Sequence, residues 1–251
     1  MNLILLYGAD QVPGTRDHFR LRDHRRVHLL EVLKVQTGQK LRVGLLNGPR
    51  GEAEVVSISA TEIVLRAECQ EPADAPLTDL VLALPRPKSL KKLLPEVAAL
   101  GVGRLTLLRT WRVEKSYLTS SLLRPEEHQP LFDEGLMQAE GTRRPELSLE
   151  DRFRPYVEDR LPALLQGRLG LVAHPGAPTR LADLSLAPDQ AVTVALGPEG
   201  GFLPFEVELL EAAGMRPVAL GPRILRVETA VVAVLANLEL LRQRGLASAD
   251  P

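Results

Sequence analysis

The sequence predicts an α/β protein in two parts, a small N-terminal β-barrel followed by a larger domain built on a parallel sheet. Three observations carry this expectation. Residues 2–68 hold several short strand-like runs but a single helical stretch, the rhythm of a small all-β unit. A polar, Pro- and Ala-rich stretch, Gln70 to Thr78, reads as a linker. From there on, apolar runs alternate with helical patterns, and that alternation indicates a parallel α/β sheet. The expected boundary divides the chain into residues 1–72 and 73–251.

Taken in order, residues 2–7 form a first strand, then an arginine-rich loop leads to a helix near His24 to Leu33. "KLRVGLL", the turn "NGPRG" and "EAEVVSI" read as strand, turn and strand, with a further strand in "EIVLRAE". Past the linker, "DLVLALP" is a strand, "SLKKLLPEVAALG" a helix and "RLTLL" a strand. "RLGLVAHP" and "AVTVALGP" are strands, "PFEVELLEAAG" a helix, "RPVALGP" a strand, and "ETAVVAVLANLELLRQRG" a long final helix.

Composition narrows the class. Apolar residues make up 45% and charged residues 25% of the 251, the balance of an ordinary globular protein. No apolar run reaches the ~18 residues a membrane span needs, and "MNLILLYGAD" lacks the basic lead-in of a signal peptide. The single cysteine, Cys69, excludes an internal disulfide and a cysteine-based zinc site. A cytoplasmic protein is expected. The net charge of −1 argues against nucleic acid, but its distribution does not. "TRDHFRLRDHRRVH", Thr15 to His28, sets five Arg and three His against two Asp. Arg16, Arg20, Arg22, Arg25 and Arg26 are therefore candidate contacts to RNA phosphate.

The second part contains a repeat. "VALGP" ends the apolar run at Val194 and again at Val218, while "HPGA" follows a third run at His174. Ligands of parallel sheets sit beyond the carboxyl ends of the strands, so three loops converge on one edge. A phosphate cradle is disfavoured: neither loop matches a dinucleotide or P-loop fingerprint, and each places Pro where a backbone donor would be wanted. Gly200 and Gly201 instead permit close approach of a flat or weakly charged ligand.

"LGPEGGF", "LGPRILRVETA" and "HPGA" resemble the ligand-binding loops of the RsmE family, 16S rRNA uracil-N3 methyltransferases of the SPOUT superfamily. The order of the rest agrees, including a "PK…LGV" segment at Pro87, Lys88 and Leu100 to Val102. The resemblance implies a PUA-like RNA-binding barrel, a SPOUT α/β domain with a C-terminal trefoil knot, S-adenosyl-L-methionine as methyl donor, 16S rRNA as substrate, possibly within the 30S subunit, and a homodimer. It implies a cofactor pocket made by Ala173, His174, Leu196, Gly197, Pro198, Gly200, Gly201, Leu220, Gly221, Ile224 and Leu225. The chain departs from the family pattern at Pro95, Glu96 and Ala99, at Glu140 and Gly141, and at Leu203, where the family has a helix-capping serine.

Methyl transfer from a sulfonium calls for no metal. It requires positioning and help for the weakly acidic uracil N3–H, from a base or from a cation facing the carbonyl oxygens. Glu199 and Arg226, one from each Gly-Pro loop, are the candidate catalytic pair. His174 reads as loop-shaping; Trp111 within "RTWRVEKS" could stack on RNA, but a lone Trp in an arginine-rich segment is more often packing. Two other readings stand beside this one: a Rossmann-type nucleotide enzyme, and a non-catalytic RNA-binding module. Bound cofactor would separate the three.

Overall fold

A computed structural model describes residues 2–249 and divides the chain into two units. The first comprises Met1–Ala75 and Asp133–Arg144, the second Pro76–Phe132 and Pro145–Pro251.

The first unit is a five-stranded sheet of β1 (Ile4–Leu6), β2 (His18–Leu21), β3 (Lys40–Leu45), β4 (Arg50–Ile58) and β5 (Ile63–Glu71). Its order is β1-β3-β4-β5-β2, parallel only between β1 and β3. Ile4, Leu6, Phe19, Leu21, Val43, Val55, Ile63 and Leu65 point into one core, joined by Leu29 of the helix His24–Glu31. Two expectations are corrected here. The arginine-rich stretch is not a loop throughout, because His18–Leu21 pairs antiparallel with β5. Phe19 and Leu21 alternate inward while His18 and Arg20 stay half-exposed, the period of a half-buried strand. Residues 133–144, assigned by sequence to the second domain, group with the first unit. Met137 O accepts from Asn2 N and Leu3 N at 3.0 and 3.1 Å. Tyr7 Oη donates to Asp133 at 2.8 Å, and Arg144 grips the same carboxylate with two nitrogens, at 2.8 and 2.6 Å.

The second unit carries β6 (Thr78–Ala83), β7 (Val102–Leu108), β8 (Glu146–Glu150), β9 (Leu169–Ala173), β10 (Val192–Leu196) and β11 (Arg216–Val218). All pairings are parallel, in the order β11-β9-β10-β6-β7-β8. All five residues of β10 are buried, as befits a strand in the middle of a parallel sheet. The chain runs outward from β6 through β7 to β8, then resumes on the other side of β6. This reversal puts β9, β10 and β11 side by side. The helices Pro87–Ala99, Pro204–Ala212 and Val227–Ala249 lie at the expected places. Sequence reading missed the helix Pro125–Ala139 and the edge strand β8. Among the described residues no helix is long and apolar enough to cross a membrane.

Candidate active site

Strand register explains the repeated pentapeptide. Leu196 of β10 and Val218 of β11 both pair with Ala173 of β9, so three neighbouring strands end at one level. The two "VALGP" copies sit two residues out of step. An even offset keeps the same side chains on the same face.

Each exit is shaped differently. After β9, Ala177 N donates to His174 O at 3.2 Å and Gly176 has φ +83°, a turn with Pro second and Gly third. His174 N is spent on Val218 O at 3.0 Å, which ties this loop to β11. His174 is thus a loop-shaping residue in its backbone, while its ring is only half-buried beside the cavity. After β10, Gly201 N donates to Pro198 O at 2.7 Å and Gly201 takes φ +72°. Gly197 must be glycine for another reason: a Cβ there would lie 2.8 Å from Phe202 N. After β11, the backbone N–H groups of Gly221, Ile224 and Leu225 donate to no carbonyl among the described residues.

Between these loops lies a cavity of about 330 Å³. All eleven residues expected to hold the cofactor line it, and so does Glu199. Its size suits a small organic molecule. Its lining is mostly glycine, proline and aliphatic side chains with loose backbone donors, joined by His174, Phe202, Glu199 and Arg223, a mixed wall suited to a flat polar ligand. A Cβ built on Gly221 meets nothing within 4 Å, so that part of the wall is open.

Glu199 faces Arg86, whose N–H donates to Glu199 Oε1 at 3.4 Å while its Nε stands 3.9 Å away. Arg226 lies on the exposed loop just before the final helix, and its carbonyl accepts from Ala230 N at 2.8 Å. Arg226 does not line the cavity, but its neighbours Leu225 and Val227 do. Glu228, the carboxylate nearest in sequence, is taken up by Ser89 Oγ, which donates to it at 2.6 Å. That hydrogen bond, aided by Lys92 and Arg226, holds the Glu228 carboxyl below the usual range. Among the described residues Arg226 makes no ion pair within 4.0 Å, and it is exposed.

Two residues that shape this site escaped the sequence reading. Glu206 is fully buried, and its two oxygens accept from Trp111 N and Leu203 N, each at 2.8 Å. From the third helical position it supplies one half of a capping box, the bond to the N-cap N–H, while Leu203 offers no side-chain acceptor for the other half. Its signal was a Glu three residues after the cap position. Arg112 donates through Nη1 to Gly200 O and reaches Gly201 O at 3.5 Å, bracing the glycine loop from outside. Nothing in the sequence pairs these two positions.

A family model described as an RNA methyltransferase domain matches residues 73–239. The ribosomal RNA small subunit methyltransferase E of Treponema pallidum is 31% identical over 245 residues, covering 94% of this chain and 91% of that protein. The chain belongs to the ribosomal RNA small subunit methyltransferase E family. The Synechocystis member is 30% identical over 85% of this chain and 70% of its own length. Among solved structures, the Neisseria gonorrhoeae member bound to S-adenosyl methionine superposes with TM-score 0.76 at 19% identity, covering 95% of this chain and 98% of that one. A Legionella pneumophila methyltransferase in complex with the same cofactor gives 0.74 at 24%, covering 95% and 97%. These identities speak for a shared fold.

Of the five arginines predicted to contact RNA phosphate, this family member withdraws one. Arg25 is 1% exposed, donates to Leu5 O, pairs with Asp10 at 2.7 Å and Asp23 at 2.6 Å, and stacks over the Tyr7 ring at 4.3 Å. Its charge is consumed inside the unit. Arg26 is half-buried and donates to Ser59 O and Ala60 O, and Arg22 is exposed but pairs with Glu62 at 2.8 Å. Arg16 and Arg20 have no ion-pair partner among the described residues.

Proposed function

We propose that this chain transfers the methyl group of S-adenosyl-L-methionine to N3 of a uridine in small-subunit 16S rRNA. The carrying observation is the cavity: three in-register strand ends of an RNA methyltransferase family member close around one compartment. The cofactor, when bound, supplies an electrophilic methyl group on its sulfonium. Ala173, His174, the Leu196–Gly201 loop and the Leu220–Leu225 loop would hold it, with the loose N–H groups of Gly221, Ile224 and Leu225 as donors for a purine edge. The glycines let backbone and ligand approach.

Arg226 and Glu199 act on the incoming base. The Arg226 guanidinium faces the uracil carbonyl oxygens and favours the N3-deprotonated form, an interaction that strengthens as charge builds. Glu199, whose carboxylate accepts from Arg86 N, takes the N3 proton in this reading. Arg16 and Arg20, with Arg22 and Arg26 at the edge of the same segment, contact RNA phosphate. The N-terminal sheet is read as a PUA-like unit and the second unit as a SPOUT domain with a trefoil knot, readings that rest on the near full-length structural likeness. Val232, Leu240 and Leu246 leave apolar surface on the final helix, which supports a homodimer. Action on ribosomal RNA supports a cytoplasmic location.

Mass spectrometry of 16S rRNA from a strain lacking the gene tests the reading. Loss of one 3-methyluridine, restored by the wild-type gene, is the expected result. An unchanged nucleoside profile would overturn it.

A further inference from the structure

Trp111 is the chain's only tryptophan, and it is 80% exposed. Of the two sequence expectations for it, packing and stacking on RNA, packing was favoured; the structure gives it almost none. Yet its backbone is fixed from three sides. Trp111 N donates to the buried Glu206 carboxylate at 2.8 Å, Thr110 and Val113 are buried, and Arg112 is clasped to the carbonyls of the Gly200–Gly201 loop. The indole meets one neighbouring ring, Phe205, edge-on at 6.4 Å, and Phe205 is itself 44% exposed. A large apolar face on a fixed backbone thus stands in solvent beside the loop that walls the cavity. The surrounding charges are mostly positive: Arg109, Arg112 and Lys115 lie in the same segment against Glu114, and Arg223 stands on the cavity lining. Aromatic faces interleaved with cations are the combination that binds unpaired nucleic acid, because every base has a π-face and every link a phosphate.

We propose that Trp111, backed by Phe205, is a stacking platform for an unpaired nucleobase of the RNA substrate at the rim of the methyl-transfer cavity; this rests on the function proposed above. Because the backbone beneath the indole is already fixed, stacking orders one side chain and no loop, and it holds the strand where the target base can enter.

The single tryptophan makes the test direct, since intrinsic emission reports this position alone. Oligouridylate of about ten nucleotides and an abasic oligomer of equal length are titrated separately into the full-length protein. Expected are quenching by oligouridylate but not by the abasic chain, and roughly ten-fold weaker oligouridylate binding in Trp111→Ala. Trp111→Phe should retain most of the affinity, and S-adenosylmethionine binding should not change in either variant. Equal quenching by both oligomers, or none by either, overturns the platform. So does dissociation of a dimer by Trp111→Ala in sedimentation, which would place the indole at a subunit contact. Methylation of 16S rRNA by the wild-type protein is scored in parallel. An active enzyme with a silent indole removes the platform alone, whereas an inactive one removes the proposed function and the platform with it.

Discussion

Replacing Glu206 with Ala should unfold the second unit far more easily than the loss of one surface-helix carboxylate would suggest. The side chain is fully buried, and each oxygen accepts one backbone N–H, from Trp111 and from Leu203. A buried donor left without its acceptor costs about 1–3 kcal/mol. Two such donors make the cost of Glu206→Ala about 2–6 kcal/mol. Glu206→Gln keeps one acceptor oxygen and turns an NH₂ toward the other N–H, so it should lose about half as much. Urea unfolding followed by circular dichroism at the helical band is the appropriate assay, because the helices Pro87–Ala99, Pro204–Ala212 and Val227–Ala249 all lie in the unit concerned. The midpoint should fall by about 1 M or more for the alanine variant with an unchanged slope. Leu203 directly follows the Leu196–Phe202 stretch that walls the cavity, so cofactor affinity should fall in both variants, alanine more than glutamine. A Glu206→Ala protein within about 0.5 kcal/mol of wild type would refute the reasoning, and would mean that water replaces both bonds.

Gly221→Val separates binding from folding. Its Cβ meets no protein atom within 4 Å, so the thermal midpoint should stay put while calorimetry shows cofactor affinity lost. Gly197→Ala should do the reverse and destabilise the fold, since its Cβ would press on Phe202 N at 2.8 Å. Arg226→Ala should lower the single-turnover methylation rate at saturating cofactor and RNA by about 100-fold, as removal of a transition-state donor does. Arg226→Lys should remain impaired because it keeps charge but not the planar fork. Arg25→Ala strands Asp10 and Asp23 and should cost about 3–5 kcal/mol in the first unit, without changing the salt dependence of RNA binding. Burial works to raise the Asp23 carboxyl, but the hydrogen bonds and charge of Arg25 outweigh it and hold the group below its ordinary value. Stability from this pair is therefore present above the unfolded value near pH ~4 and is lost as pH falls through the lower folded one. Acid unfolding followed by circular dichroism should show that dependence flattened in Arg25→Ala.

What the sequence disclosed depended on how local its signal was. Buried parallel strands such as Val192–Leu196 announce themselves as unbroken apolar runs, and a Gly-Pro step marks where each ends. The cavity was legible for the same reason, because strand register then carries three such ends to one level. β2 was hidden because only Phe19 and Leu21 alternate among its charges. The helix Pro125–Ala139 was hidden by Pro130 within it and by a sequence of low amphipathic contrast. Arg25 looked like its neighbours because the residue that buries its charge, Asp10, lies fifteen positions upstream. Glu206 carried a local signal only for its bond to Leu203 N; its tie to Trp111 N, and that of Arg112 to Gly200 O, were invisible because those partners are backbone atoms distant in sequence. Contacts to backbone leave no residue-type signature.

The central claim is that the compartment at the strand ends presents a methyl group to uracil N3. Incubating the purified protein with 16S rRNA and methyl-labelled S-adenosylmethionine, then digesting to nucleosides, tests it most directly. The account predicts label in 3-methyluridine with wild-type protein, and none with Gly221→Val. Label on a ribose hydroxyl or a ring carbon would contradict it, as would undiminished transfer by the Gly221 variant.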